Sequence, residues 1–147
     1  MRAAVLRQAG APLTIEEIDI DDPGPGEVRI RTAAAGGCHS DLHFIKGLYH
    51  TPMPCVPGHE SAGVVEAVGP DVTYVHPGDH VITCMSAFCG VCRNCTAGRP
   101  VLCESTETWR SPGQPPRLSQ NGQPITQLYN LASYAEAMLV HERACVK

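Results

Sequence analysis

The sequence predicts a mostly β fold, a small barrel or sandwich, and three observations lead there. Fourteen glycines and 13 prolines are spread through 147 residues, which calls for many turns between short segments. Apolar and polar residues alternate with period two in several stretches. β-Branched runs are bounded by Gly-Pro or Pro-Gly pairs, the punctuation of strands. The length fits one compact domain with a real core.

Taken in chain order, "PLTIEEIDI" alternates at Leu13 and Ile15 and again at Ile18 and Ile20. The slip in phase at Glu16-Glu17 predicts a β-bulge. "DPGPGE", Asp22 to Glu27, is a turn that neither a helix nor a central strand can contain. "EVRIRTAA" sets Val28 and Ile30 against Arg29 and Arg31, the signature of a half-buried strand. A short helix is expected near Ser40, which would cap "DLHFIKG" and let it end at Gly47. "GVVEAVG" and "DHVITCM" are further strands, bounded by Gly69-Pro70 and Pro77-Gly78. Residues 104–132 are polar, proline-rich in their first half, and long enough to be a functional or flexible excursion. There is no internal repeat.

Composition narrows the function. Eleven basic against 15 acidic residues give a net charge of −4 with no basic stripe, which argues against a nucleic-acid partner. No stretch approaches the ~20 apolar residues of a membrane span, and the N-terminal apolar run is too short for a secretory signal. The chain therefore reads as cytoplasmic, where thiols stay reduced, and its eight cysteines read as metal or catalytic thiols before disulfides.

Four of those cysteines follow C-x2-C-x2-C-x7-C: Cys89, Cys92, Cys95 and Cys103. Such a set suits tetrahedral zinc, and four thiolates leave no open position, so the site is structural by its chemistry. A ferredoxin-type cluster would continue with x3-C-P, whereas here the last gap is seven residues and Glu104 follows Cys103. The lobe built on this metal should span about 86–105.

Chemistry has to come from elsewhere. "GGCHSDLH" (Gly36 to His43) and "PGHESAGVVEAVG" (Pro57 to Gly69) are each weak alone, since a lone cysteine or histidine is usually structural. Together they offer a thiolate and an imidazole, Cys38 and His59, beside two carboxylates, Asp41 and Glu60. That donor pair suits a zinc with an open position, and a ligating histidine usually donates its other N–H to a carboxylate.

In the order C-H-S-D, G-H-E-x2-G-x5-G and C-x2-C-x2-C-x7-C, these motifs resemble the zinc-dependent medium-chain alcohol dehydrogenases over nearly the whole chain. "ASYAEAMLV" is similar to a segment usually written S-F-A-E-Y, with Tyr134 and Ala137 standing where that family has other aromatics. The resemblance implies a GroES-like, partly open β-barrel. It implies that Cys38 and His59 hold a catalytic zinc with Glu60 next to it, and that Asp41 orients His59. Ser40 would accept the proton of the alcohol, and His43 would pass it on through the cofactor ribose. His39 would lie near the cofactor pyrophosphate, and Cys89, Cys92, Cys95 and Cys103 would be the structural set.

It further implies NAD(P), a small alcohol or aldehyde substrate, and a homo-oligomer, dimer or tetramer, of the full-length parent. No G-x-G-x-x-G occurs, so residues 1–147 are expected to be the catalytic-domain portion of a longer dehydrogenase, inactive when isolated. Two rival readings stand beside this one. The parent could be a polyol or thiol-adduct dehydrogenase or reductase of the same family, or the chain a non-catalytic zinc-stabilised binding module. Single residues have plainer readings too. Ser40 serves equally as a helix cap, Asp41 as a first-turn charge, and His39 and His43 as surface residues. Cys55, Cys84 and Cys145 match no motif and read as buried thiols. His50, His76, His80 and His141 read as solvated or structural, and Trp109 as packing.

Overall fold

The computed structural model describes residues 1–111 and 113–147. Among the described residues, twelve strands run in chain order: β1 (Arg2–Val5), β2 (Thr14–Glu17), β3 (Asp19–Ile20), β4 (Glu27–Ala35), β5 (Cys55–Val56), β6 (Ser61–Val68), β7 (His80–Thr83), β8 (Leu118–Gln120), β9 (Gln123–Pro124), β10 (Thr126–Gln127), β11 (Ala137–His141) and β12 (Cys145–Val146). Two short helices interrupt them, α1 (His39–Ile45) and α2 (Arg93–Thr96). The fold is mostly β, one five-stranded sheet with three smaller sheets beside it.

The main sheet has the order β11-β4-β6-β7-β12. Its spine is the antiparallel pair β4–β6, in register from Val28↔Val68 to Ala35↔Ser61, with irregularities at Arg29/Ile30 and Thr32/Ala34 that increase its curl. The alternation read in "EVRIRTAA" places Val28 and Ile30 in the core, with Arg31 at the surface and Arg29 half-buried between Asp22 and Glu66. Val28 and Ile30 pack with Val65, Val81, Leu131, Met138 and Val140 in one apolar cluster. A second cluster, Ala3, Val5, Ile18, Val56, Leu118, Ile125 and Ala132, joins the smaller sheets. Fully burying an aliphatic side chain contributes roughly 1.5–3 kcal/mol, so these two clusters supply most of the driving force.

Three expectations need correcting. The phase slip in "PLTIEEIDI" is a break between two strands, not a bulge within one. β2 pairs with β1, and β3 pairs with β8. Ile18 turns inward at the break while Ile15 is 72% exposed, because β1–β2 is a two-stranded ribbon with one face uncovered. Residues 104–132 are not one excursion: Asn121-Gly122 turns β8 into β9, and Leu118, Ile125, Leu128 and Leu131 are all buried. Finally, Ser40 does not cap the helix. Cys38 is the N-cap, with extended backbone at φ −88° and ψ 149°, and Ser40 lies inside the first turn.

The polar half of 104–132 is tied down by charge. Glu27, at the start of β4, is buried and accepts from Arg110 Nε at 3.0 Å, Arg117 Nε at 2.7 Å and the Gly24 N–H at 2.9 Å. Arg110 also pairs with Asp21, and Arg117 donates to the Thr108 carbonyl at 3.0 Å. Burial alone would raise the Glu27 carboxyl. The two guanidiniums and the Gly24 N–H outweigh it and hold the group down at about 2. Among the described residues, no helix is long and apolar enough to cross a membrane.

Candidate metal centres

The four-cysteine lobe forms from local sequence. Cys92 caps α2, whose single turn brings Cys95 back beside it, and a 3-10 turn over Pro100–Leu102 returns Cys103 to the group. The Sγ–Sγ distances are 3.5 Å for Cys92–Cys95, 3.9 Å for Cys92–Cys103 and 4.0 Å for Cys89–Cys95. A disulfide would need about 2.05 Å, and all the cysteines are free. A tetrahedron with metal–sulfur bonds of about 2.3 Å has sulfur–sulfur edges of about 3.8 Å. These three distances scatter about that figure and all four sulfurs lie within 4.8 Å of one another, so they fit a tetrahedral, thiophilic ion. Backbone N–H groups, that of Cys95 foremost, hold the Cys92 thiol down at about 6. Burial, in turn, pushes the neighbouring Cys95 thiol up.

The second cluster is assembled by the β4–β6 pairing. Beyond the last strand pair, Ala35↔Ser61, the Gly36 N–H still donates to the Glu60 carbonyl at 2.8 Å. The two chains therefore leave the sheet side by side, which sets Cys38 opposite His59. A Cβ at Gly36 would meet the end of the exposed Glu60 side chain, which would have to swing aside. One donor atom each of Cys38, His59 and Glu60 lies within 4.8 Å of the others.

Asp41 holds this corner together. It is the third residue of α1 and only 2% exposed. Its Oδ1 accepts from the Gly58 N–H at 3.0 Å and faces His59 Nδ1 at 3.2 Å. Its Oδ2 accepts from the Cys38 N–H at 3.3 Å and from the Tyr134 hydroxyl at 3.2 Å. A hydrogen on Nδ1, facing the carboxylate, leaves the His59 Nε2 lone pair free for a metal. Gly58 is also required, with φ +95° and no room for a Cβ against Ser133 and Tyr134.

Among the expected relay and cofactor residues, His39 and His43 lie one turn apart on α1, their ring centroids 4.7 Å apart. His43 also meets the edge of Tyr49 at 4.9 Å. Ser40 is half-buried in the same helical turn as Cys38 and Asp41. Cys55 and Cys145 are buried, as read from the sequence, and burial pushes their thiols up to about 11 and about 12. Cys84 is exposed, contrary to that reading, because it lies just past the end of β7. Trp109 is exposed as well.

Two aromatic residues stand at the site, and one of them, Tyr129, had no signal in the sequence. Tyr129 stands edge-on to His59 with centroids 5.1 Å apart, on backbone with φ 52°. Tyr134 was legible as an aromatic position, and its hydrogen bond to Asp41 was not.

The alcohol dehydrogenase GroES-like domain profile matches residues 24–147. The chain belongs to that family. Over 149 residues it is 43% identical to the NDMA-dependent alcohol dehydrogenase of Amycolatopsis methanolica, covering 99% of this chain and 40% of that protein. Its fold superposes on the alcohol dehydrogenase zinc-binding domain protein of Burkholderia ambifaria with a TM-score of 0.89 at 37% identity, covering 99% of this chain and 41% of the other. Benzyl alcohol dehydrogenase of Acinetobacter calcoaceticus gives a TM-score of 0.86 at 32% identity, covering 99% and 40%. The chain therefore spans about 40% of the length of the curated relatives it matches. The GroES-like domain of this family accounts for the β-barrel and for the order of its motifs.

Proposed function

We propose that this GroES-like domain is the catalytic-domain portion of a zinc-dependent alcohol dehydrogenase that moves a hydride between a small alcohol and NAD(P). The observation that carries the reading is the convergence of Cys38, His59 and Glu60 from two separate motifs onto one point, with Asp41 behind His59. In this reading Cys38 Sγ and His59 Nε2 hold the catalytic zinc, with Glu60 beside it. When bound, that zinc supplies Lewis acidity, which lets an alcohol lose its proton near neutral pH.

The chain's own groups do the rest. Asp41 fixes the ring orientation of His59. Ser40 Oγ takes the alcohol's proton, since a hydroxyl can accept and donate in turn. Its place inside the helix, and not at its N-cap, leaves that oxygen without a capping duty. His43 hands the proton towards solvent, since an imidazole can take a proton on one nitrogen and give one from the other. His39 and His43 contribute to holding the dinucleotide. Cys89, Cys92, Cys95 and Cys103 hold a second, structural zinc that shapes the lobe from about 86 to 105.

A full-length protein carrying these residues should reduce NAD(P) when given a panel of primary, secondary and aromatic alcohols. The appearance of reduced nicotinamide is read by its ultraviolet absorbance. Loss of that signal in Cys38→Ser, together with loss of one zinc, supports the reading. A protein with both zincs bound and no turnover of any alcohol or aldehyde defeats it.

A further inference from the structure

We propose that Tyr134 is a positioning residue for the Cys38–His59 metal site, acting through Asp41; the inference rests on the metal reading above. A carboxylate offers about four acceptor sites, and Asp41 has four donors, two on each oxygen: the Gly58 N–H and His59 on Oδ1, and the Cys38 N–H and the Tyr134 hydroxyl on Oδ2. The two contacts on Oδ2 are 3.3 Å from Cys38 and 3.2 Å from Tyr134. Deleting the tyrosine hydroxyl leaves that oxygen with one long bond, in a side chain that is 2% exposed. The carboxylate can then rotate about its last torsion, and Oδ1 no longer holds a fixed position opposite His59 Nδ1.

The tyrosine itself is not free to follow. Its N–H donates to the Pro57 carbonyl at 3.1 Å, its carbonyl accepts from the Ala4 N–H at 2.8 Å, and the preceding Ser133 N–H donates to the Gly58 carbonyl at 3.1 Å. The segment that carries His59 is thus docked on the segment that carries Tyr134, and Gly58 allows the close approach. The hydroxyl remains a donor through the neutral range, because burial first, and the Asp41 charge second, push it up to about 12. A phenylalanine would fill the same space and leave Oδ2 without this donor.

The test is Tyr134→Phe in the full chain, with the four-cysteine site filled by zinc and cobalt(II) titrated into the other site against a competing chelator. Affinity should fall roughly tenfold, the low end of the cost of losing a hydrogen-bond partner behind a metal ligand. In the metal-free protein, the His59 Nδ1–H signal in nitrogen-resolved NMR should exchange faster with water. Added to Asp41→Asn, the same change should cost nothing more, because its effect runs through Asp41. Unchanged cobalt affinity together with an unchanged His59 signal overturns the proposal. So does a full tenfold further loss in the Asp41→Asn background. If wild type takes up no more cobalt than Cys38→Ser, the metal reading beneath is what fails. The His59 signal then decides the role of Tyr134 on its own.

Discussion

Arg117 donates to Glu27 at 2.7 Å across 90 residues of sequence, with both side chains buried. With Arg110 on the same carboxylate, this pair fastens the stretch that follows the four-cysteine lobe to the first turn of the main sheet. Glu27→Gln should destabilise the fold by about 3–5 kcal/mol, the cost of breaking a buried ion pair and leaving its partners uncompensated. The measurement is the urea midpoint.

The same group sets a pH dependence. Its folded carboxyl is held at about 2 against an ordinary value of 4.5. A depressed carboxyl contributes its stability above the unfolded value and loses it as pH falls through the folded one. Stability should therefore decline between about pH 4.5 and 2, and Glu27→Gln should flatten that slope. An equal slope in both proteins would place the acid-labile group elsewhere.

Cys92→Ser should remove one zinc per chain and loosen residues 86–105, since a structural metal contributes directly to folding. Elemental analysis and amide exchange read the two effects. The strands of the main sheet should keep their protection, because their apolar cluster lies outside the lobe.

Gly58→Ala should cost about 2–4 kcal/mol, from a left-handed backbone at φ +95° and an overlap with Ser133 and Tyr134. It should also weaken metal uptake at Cys38–His59 by displacing the Gly58 N–H from Asp41. Zinc at the four cysteines should be unaffected, and a metal count on the purified variant checks both statements.

In a full-length dehydrogenase, Ser40→Ala should slow alcohol oxidation roughly 10²–10⁴-fold with zinc content intact, because it removes a proton acceptor and no ligand. His43→Ala should lose less, and the loss should shrink at higher pH or with added imidazole. Full activity of Ser40→Ala across the pH range would remove Ser40 from the relay.

Much of this site was legible in the sequence because its parts are local. Four cysteines within one short loop can reach a single ion whatever the rest of the chain does, and C-H-S-D sets a thiol and a carboxylate within one helical turn. The strands at 27–35 and 61–68 were legible because burying one face of a sheet imposes a period of two, which "EVRIRTAA" carries openly. Pairing partners are another matter, since alternation specifies a face and not a neighbour. That is why the break at Ile18 looked like a bulge, and why the hairpin inside 104–132 was hidden among polar residues.

The sequence paired the two motifs by donor chemistry and resemblance; the tertiary structure supplies the contacts that join them. The β4–β6 register carries Gly36 to Glu60 and so sets Cys38 opposite His59. The docking of 133–134 on 57–58 brings a phenol to Asp41, 93 residues away. The sequence by itself determined which side chains could bind a metal, because donor chemistry belongs to the residue. Which of them meet, and what orients them, was decided by strand register and close backbone approach, because both depend on contacts between residues far apart in the chain.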